Sequence, residues 1–352
     1  MRFDVEISDL TPAVQFAASV VARRSTSPIM ESIRIEASDN ALVLSGSDHD
    51  VHTRARCEAA VFQSGSLCVH ANDLLQLLKH LGDEAVKFEA IEDGEFPLLR
   101  IQAGGTSVDF PTLASEHFPR AEKPDQETEI IGGAAAFLQC ASFANEDDSR
   151  TALHGVAFAN GLAFGTDGYM FFGCPCENEA NKIVPASASS VVKRLNGGRF
   201  FLSSQAWRLE TANFSAIGRL IDAEPVDIGN LVGGYGDAFT SVDADGLLHA
   251  VKTVTFGRAR VAYFEAKDDC YSVQGDGFEG RHISGGARVP AQGEPRSMVL
   301  ATKYVLPALS ALAGRVVDVS TDGNGVRFAS DGTFAMVMPI RDSRHALSAG
   351  PS

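Results

Sequence analysis

Three stretches of this 352-residue chain repeat one plan, and that repetition limits the possible fold more than any other feature. The first runs Ser32-Ile33-Arg34-Ile35-Glu36-Ala37, a turn at Asp39-Asn40, Leu42-Val43-Leu44, then Gly46-Ser47-Asp48. The second runs Leu153 to Ala159, a turn at Asn160-Gly161, Leu162-Ala163-Phe164, then Gly165-Thr166-Asp167-Gly168. The third runs Val261 to Ala266, a turn at Asp268-Asp269, Tyr271-Ser272-Val273, then Gly275-Asp276-Gly277. Short alternating strands around Asn, Asp and Gly predict a hairpin in each.

A helix-period stretch follows each hairpin, opening at Ala71, Ala186 and Ala301, 115 residues apart both times. Leu74, Leu77, Leu78 and Leu81 share one helical face, as do Val191, Val192 and Leu195, and Val305, Leu306, Leu309 and Leu312. Each stretch stops at a glycine: Gly82, Gly197 or Gly314. Another helical stretch precedes each hairpin: Leu10 to Arg24, Gly133 to Asn145, and Asp245 to Gly257. Helices grouped against antiparallel strands predict an α+β class. A unit of this length buries its own core, so the expectation is three tandem similar domains at 1–122, 128–232 and 237–341, with a tail at 342–352.

A search for catalytic or metal-binding patterns finds little. Phosphate-cradling loops, H-E-x-x-H and G-x-S-x-G are missing, and the acidic pairs Asp147-Asp148 and Asp268-Asp269 fall in predicted turns or helix ends. The six cysteines are too sparse for a disulfide scaffold and read as reduced, structural thiols. Only Cys174 and Cys176 are close in sequence. The run Asp48-His49-Asp50-Val51-His52 is ligand-rich but reads as a solvated hairpin. No apolar run is long enough to span a membrane, and the expected location is the cytoplasm. The formal charge of −15 argues against a protein that holds nucleic acid on a basic surface.

Motifs spread along residues 1–341 carry a family resemblance. They are Arg24-Ser25-Thr26-Ser27-Pro28-Ile29, Gly46-Ser47-Asp48, Phe110-Pro111-Thr112-Leu113 with Phe118-Pro119, Thr166-Asp167-Gly168, Ile183-Val184-Pro185, and Met336-Val337-Met338-Pro339-Ile340-Arg341. In this order, on a three-part repeat, the chain resembles the bacterial DNA polymerase III beta subunit family, the beta sliding clamps. The resemblance implies the DNA clamp fold: a head-to-tail homodimer forming a ring, antiparallel sheets outside and helices lining the hole around double-stranded DNA. Twelve helices at ~10 Å each give a hole ~38 Å across, wider than a duplex of roughly 20 Å. It implies no catalysis, no metal and no cofactor. The implied partners are DNA polymerase III alpha subunit, the clamp loader and other proteins with clamp-binding motifs.

Two sets of site residues follow from the resemblance. Arg24, Lys79, Arg150, Lys193, Arg194 and Lys252 are the expected DNA-facing cations. A pocket for partner peptides is expected from Leu153, Thr166, Gly168, Tyr169, Met170, Phe171, Pro225, Tyr304, Met336, Val337, Met338, Pro339, Ile340 and Arg341. Methionines adapt to varied partners, and an apolar pocket with few polar groups accepts hydrophobic anchors. The six predicted helical stretches together carry +4, leaving −19 for the remainder, so DNA would be confined to the hole. Tyr169, Met170, Asn72 and Asn230 stand where relatives more often carry basic residues, and Thr151-Ala152 where they often carry aromatics. With the tail, these departures keep open an accessory clamp paralogue with altered pocket specificity. A hydrolase hidden in the acidic clusters is a third reading, with no nucleophile and base in view.

Overall fold

The computed structural model describes all residues except 83–84, 94–95, 122, 125, 146–149, 196, 230–231, 233–234, 256–259, 277–281, 284–287, 323 and 341–352. The acidic pair Asp147-Asp148, Asn230, Arg341 and the tail therefore lie outside the described residues.

In the first third the strands are β1 Arg2–Glu6, β2 Ser32–Ser38, β3 Ala41–Ser47, β4 Val51–Glu58, β5 Ala60–Gln63, β6 Gly65–His70, β7 Ala85–Asp93, β8 Phe96–Ala103 and β9 Thr106–Leu113. Its helices are α1 Ile7–Ala17 and α2 Ala71–Leu78. The middle third holds β10 Glu127–Ile130, β11 Gly155–Ala159, β12 Leu162–Thr166, β13 Met170–Pro175, β14 Lys182–Pro185, β15 Arg199–Ser203, β16 Ala206–Glu210 and β17 Phe214–Arg219. Its helices are α3 Gly133–Cys140 and α4 Ser189–Leu195. The last third holds β18 Thr240–Asp243, β19 Val261–Lys267, β20 Cys270–Asp276, β21 His282–Ile283, β22 Arg288–Gly293, β23 Met298–Ala301, β24 Val316–Thr321, β25 Val326–Ser330 and β26 Thr333–Val337. Its helices are α5 Ala244–Val254 and α6 Thr302–Ala311.

The three expected hairpins are β2–β3, β11–β12 and β19–β20. Their turns take positive φ at both central residues: Asp39 and Asn40, Asn160 and Gly161, Asp268 and Asp269. That is the turn whose twist matches paired strands, and short polar side chains or glycine tolerate it.

The repeated Gly-Ser/Thr-Asp motif has a second role that the hairpin pattern did not disclose. A Cβ on Gly46 would stand 1.8 Å from the carbonyl oxygen of Ala17, the last residue of α1, and one on Gly165 would stand 2.4 Å from that of Cys140, the last of α3. In both repeats the glycine is where a helix end meets the sheet. Asp48 Oδ1 then accepts the Asp50 amide at 3.0 Å, and Asp167 Oδ1 those of Tyr169 and Met170 at 2.8 Å. Ser47 and Thr166 hydroxyls each accept the amide two residues on, at 3.1 Å.

Helices are shorter than the hydropathy period predicts. The first ends at Ala17, so Arg23 and Arg24 lie beyond it, and the third ends at Cys140 with a 3₁₀ turn at Ala141–Phe143. Within the observed helices Asp9, Asp73 and Asp245 face Lys193, Arg194, Lys252 and Lys303, a balance of +1 rather than +4. Much of the predicted positive charge belongs to segments that follow helices.

The structure divides into two compact units, which cut through the middle repeat. One comprises residues 1–134 and 187–220, the other 135–186 and 221–352. The first unit holds a 13-stranded sheet in the order β10-β15-β16-β17-β4-β3-β2-β6-β9-β8-β7-β1-β5. β17 adds to β4 in antiparallel register, with Ala216 opposite Thr53, so strands of the first and second repeats share one sheet. The second sheet runs β14-β11-β12-β13-β26-β25-β24-β18-β22-β20-β19-β23, with β21 beside β20. Here β13 pairs with β26, Phe171 opposite Met336. In the first unit Phe3 stacks on Phe88 at 4.7 Å, and Phe16 meets Phe214 edge-on at 5.2 Å. In the second, Ala157, Phe164, Phe171, Ile183, Ile228, Phe334 and Met336 form a core cluster.

All six cysteines are free and buried. Burial pushes the Cys57 and Cys176 thiols up to about 11 and Cys68 to about 12, which keeps them protonated and inert at neutral pH. Sequence proximity pointed to Cys174 and Cys176, yet it is Cys140, at the end of α3, whose Sγ lies 3.9 Å from that of Cys174. Among the described residues no helix is long and apolar enough to cross a membrane.

Candidate functional site

The second unit carries a concave cavity of about 120 Å³ at the β13–β26 junction. Its floor is set by Phe171, which is buried and stacks on Phe164 at 5.4 Å and on Phe334 at 5.3 Å. One wall is the bend joining β12 to β13. Thr166 donates its hydroxyl to the Met170 carbonyl at 2.7 Å, and Gly168 sits at φ 90°, a conformation that disfavours any side chain. A Cβ there would also stand 2.9 Å from Arg150 Nη1.

The opposite wall comes from the loop after β24. Asp322 Oδ1 accepts the amides of Asn324 at 2.8 Å and Gly325 at 2.7 Å, which fixes the turn. Tyr235 presses its hydroxyl against Gly325, where a Cβ would be 2.3 Å away. Burial, with the Asp322 carboxylate nearby, pushes the Tyr235 hydroxyl up to about 12, so it stays a neutral donor. At the rim, Met338 donates its amide to the Tyr169 carbonyl at 2.9 Å. The Tyr169 ring stacks on Tyr304 at 5.7 Å, and Lys303 Nζ lies 4.3 Å from the Tyr304 ring centre. Tyr169 at 52% and Met338 at 48% exposure leave an apolar lip open to solvent.

Of the predicted pocket residues, Thr166, Gly168, Tyr169, Met170, Phe171, Met336, Val337 and Met338 line this cavity. Tyr304 stands beside it through the Tyr169 stack. Leu153, Pro225, Pro339 and Ile340 are not among its lining residues: Leu153 closes a 3₁₀ turn, Pro339 bridges Leu300, and Ile340 donates to the Val299 carbonyl at 2.9 Å. Tyr235, Asp322, Asn324 and Gly325 complete the lining and were not foreseen. An aromatic residue set in the glycine-rich stretch 232–236 was the available signal for Tyr235; the other three reach the pocket through a loop whose place depends on tertiary structure.

All six predicted DNA-facing cations are exposed. Arg24, Lys79, Lys193 and Arg194 belong to the first unit, Arg150 and Lys252 to the second. Lys79 caps the end of α2, and Lys193, Arg194 and Lys252 occupy last turns of helices, where the helix dipole favours cations. Arg150 reaches toward Gly168 beside the pocket instead.

Residues 1–122 match the family model of the DNA polymerase III beta subunit, N-terminal domain. The beta sliding clamp of Chlamydia pneumoniae is 25% identical over 274 residues, covering 72% of this chain and 74% of that protein. The chain is thus similar, at low identity, to the bacterial beta sliding clamps. The Caulobacter crescentus beta sliding clamp structure superposes with a TM-score of 0.86 over 97% of this chain and 99% of that one, at 20% identity. A beta sliding clamp homolog from Streptomyces muensis, GriR, is 28% identical over 159 residues, 44% of this chain and 42% of that protein.

Proposed function

We propose that the chain works as a DNA sliding clamp, a non-catalytic processivity factor that encircles duplex DNA and tethers a polymerase and other proteins. In this reading the repeats act as three domains, 1–122, 128–232 and 237–341, and two copies close head to tail into a ring. Similarity to the beta sliding clamps combined with the threefold repeat carries the reading, since a ring needs a unit that repeats around an axis. Exposed cations at helix ends support contact with phosphates without base readout. A topological hold tolerates few such contacts, and each contact avoided removes salt-sensitive drag.

The apolar cavity with its Tyr and Met rim supports docking of short linear motifs from the DNA polymerase III alpha subunit, the clamp loader and other clamp-binding proteins. The resemblance to GriR, together with Tyr169-Met170 at the rim, supports an accessory clamp paralogue as the second reading. The ring makes a direct prediction: sedimentation equilibrium at micromolar concentration should give twice the 37.3 kDa chain mass. A strict monomer across that range contradicts it.

A further inference from the structure

A second cavity, of about 380 Å³, lies wholly within the first unit on the sheet face turned away from α1. Alternation sets the face: Thr53 and Ala55 are buried on the α1 side, Thr53 donating to the Ala17 carbonyl, so Arg54 between them projects opposite. The registers place Arg34, Ser45, Arg54 and Ser215 side by side on β2, β3, β4 and β17. At roughly 4.8 Å between strands, the two arginines flank Ser45 from about 10 Å apart, within reach of one tetrahedral group above it. Phe118, which is buried, Pro119, Arg120 and Ala121 also line the cavity, as does Lys123, so two further cations join the lining.

The charge here is opposite to that of the chain. In a protein of net −15, five Lys and Arg side chains line the cavity against two carboxylates, Glu36 and Glu210. Both carboxylates are engaged: Glu36 with Arg34 Nη1 at 2.9 Å, Glu210 with Arg208. Arg208 and Lys123 also pair with Glu127. Arg54 and Arg120 have no ion-pair partner among the described residues. Arg34 Nε is shut off from solvent with no acceptor, a donor whose desolvation nothing in the fold repays.

We propose that this cavity binds a small phosphorylated ligand, its phosphoryl group held by Arg34, Arg54 and Arg120 above the Ser45 and Ser215 hydroxyls. A planar carboxylate is saturated by one guanidinium fork, whereas donors from two strands and from Arg120 match the several oxygens of a phosphoryl group. The volume lies at the small end of metabolite sites and is too small for a duplex. The inference does not depend on the clamp reading.

Calorimetric titration of the full chain with pyrophosphate at low salt tests it. One saturable site per chain is expected, weakened at least tenfold in an Arg54→Ala/Arg120→Ala variant. Arg56→Ala removes one arginine from the same face of β4 outside the cavity and should leave affinity within twofold. Arg54, Arg56 and Arg120 are all exposed, so equal melting temperatures are expected without ligand. No saturable binding, equal loss in the Arg56→Ala variant, or citrate binding as tightly as pyrophosphate overturns the proposal.

Discussion

Phe171→Ala should lower stability by about 3–5 kcal/mol, the range for emptying a filled aromatic site in a core. The ring is 3% exposed and stacked on both sides, so the neighbours cannot collapse into the space without leaving Phe164 and Phe334 unpaired. Urea denaturation should show the midpoint falling with little change in slope. Tyr169→Ala gives the contrast. Its ring is 52% exposed, so the stability cost should stay below about 1 kcal/mol, while affinity for a polymerase-derived clamp-binding peptide should fall severalfold. Unchanged peptide affinity in the Tyr169→Ala protein would remove this pocket as the docking site.

Glu127→Ala should be the costliest change among the ion pairs, at about 3 kcal/mol. Arg208 is only 4% exposed, lies 4.0 Å from the Phe201 ring centre, and donates through Nε to Glu127 at 2.8 Å. Deleting Glu127 strands a buried guanidinium on Glu210 alone and loosens β10 from β15. The same pair sets a pH dependence. The Arg208 hydrogen bond holds the Glu127 carboxyl below its ordinary 4.5, so its contribution is complete above pH 4.5 and is lost as pH falls through the depressed folded value. The thermal midpoint of the natural chain should therefore drop on acidification below pH 4.5, and the Glu127→Gln protein should show a smaller drop.

The local half of the architecture was legible in the sequence. Asp39-Asn40, Asn160-Gly161 and Asp268-Asp269 name their turns because few residues accept positive φ. The leucine and valine spacing locates the second helix of each repeat. What escaped is nonlocal: nothing in the residues of β17 or β4 announces that they pair, because both are alternating strands that would accept several neighbours. For this reason the middle repeat, one unit by sequence, contributes strands to two sheets. The buried Arg208 was hidden similarly, since its burial follows from Glu127, 81 residues away in the chain. At the pocket, residues on β12, β13 and β26 were readable by resemblance, whereas the Asp322–Gly325 wall depends on where a hairpin loop falls. Helix ends were overrun because polar residues such as Ser19 and Arg23 do not break the hydropathy period that the fold breaks at Gly46.

Charge is the feature whose meaning shifted most. A net −15 argues against nucleic acid only if a protein presents one averaged surface, whereas fields act within roughly 8–10 Å at physiological salt. The exposed cations following the helices and the basic cavity on the first unit are local exceptions to an acidic whole.

A topological hold on DNA is tested most directly on a closed circle. The chain, loaded onto nicked circular duplex by a clamp loader with ATP, should remain with the circle through gel filtration at high salt. It should be released when a single cut makes the circle linear. Equal retention before and after the cut, or no retention on the circle, would contradict the clamp reading.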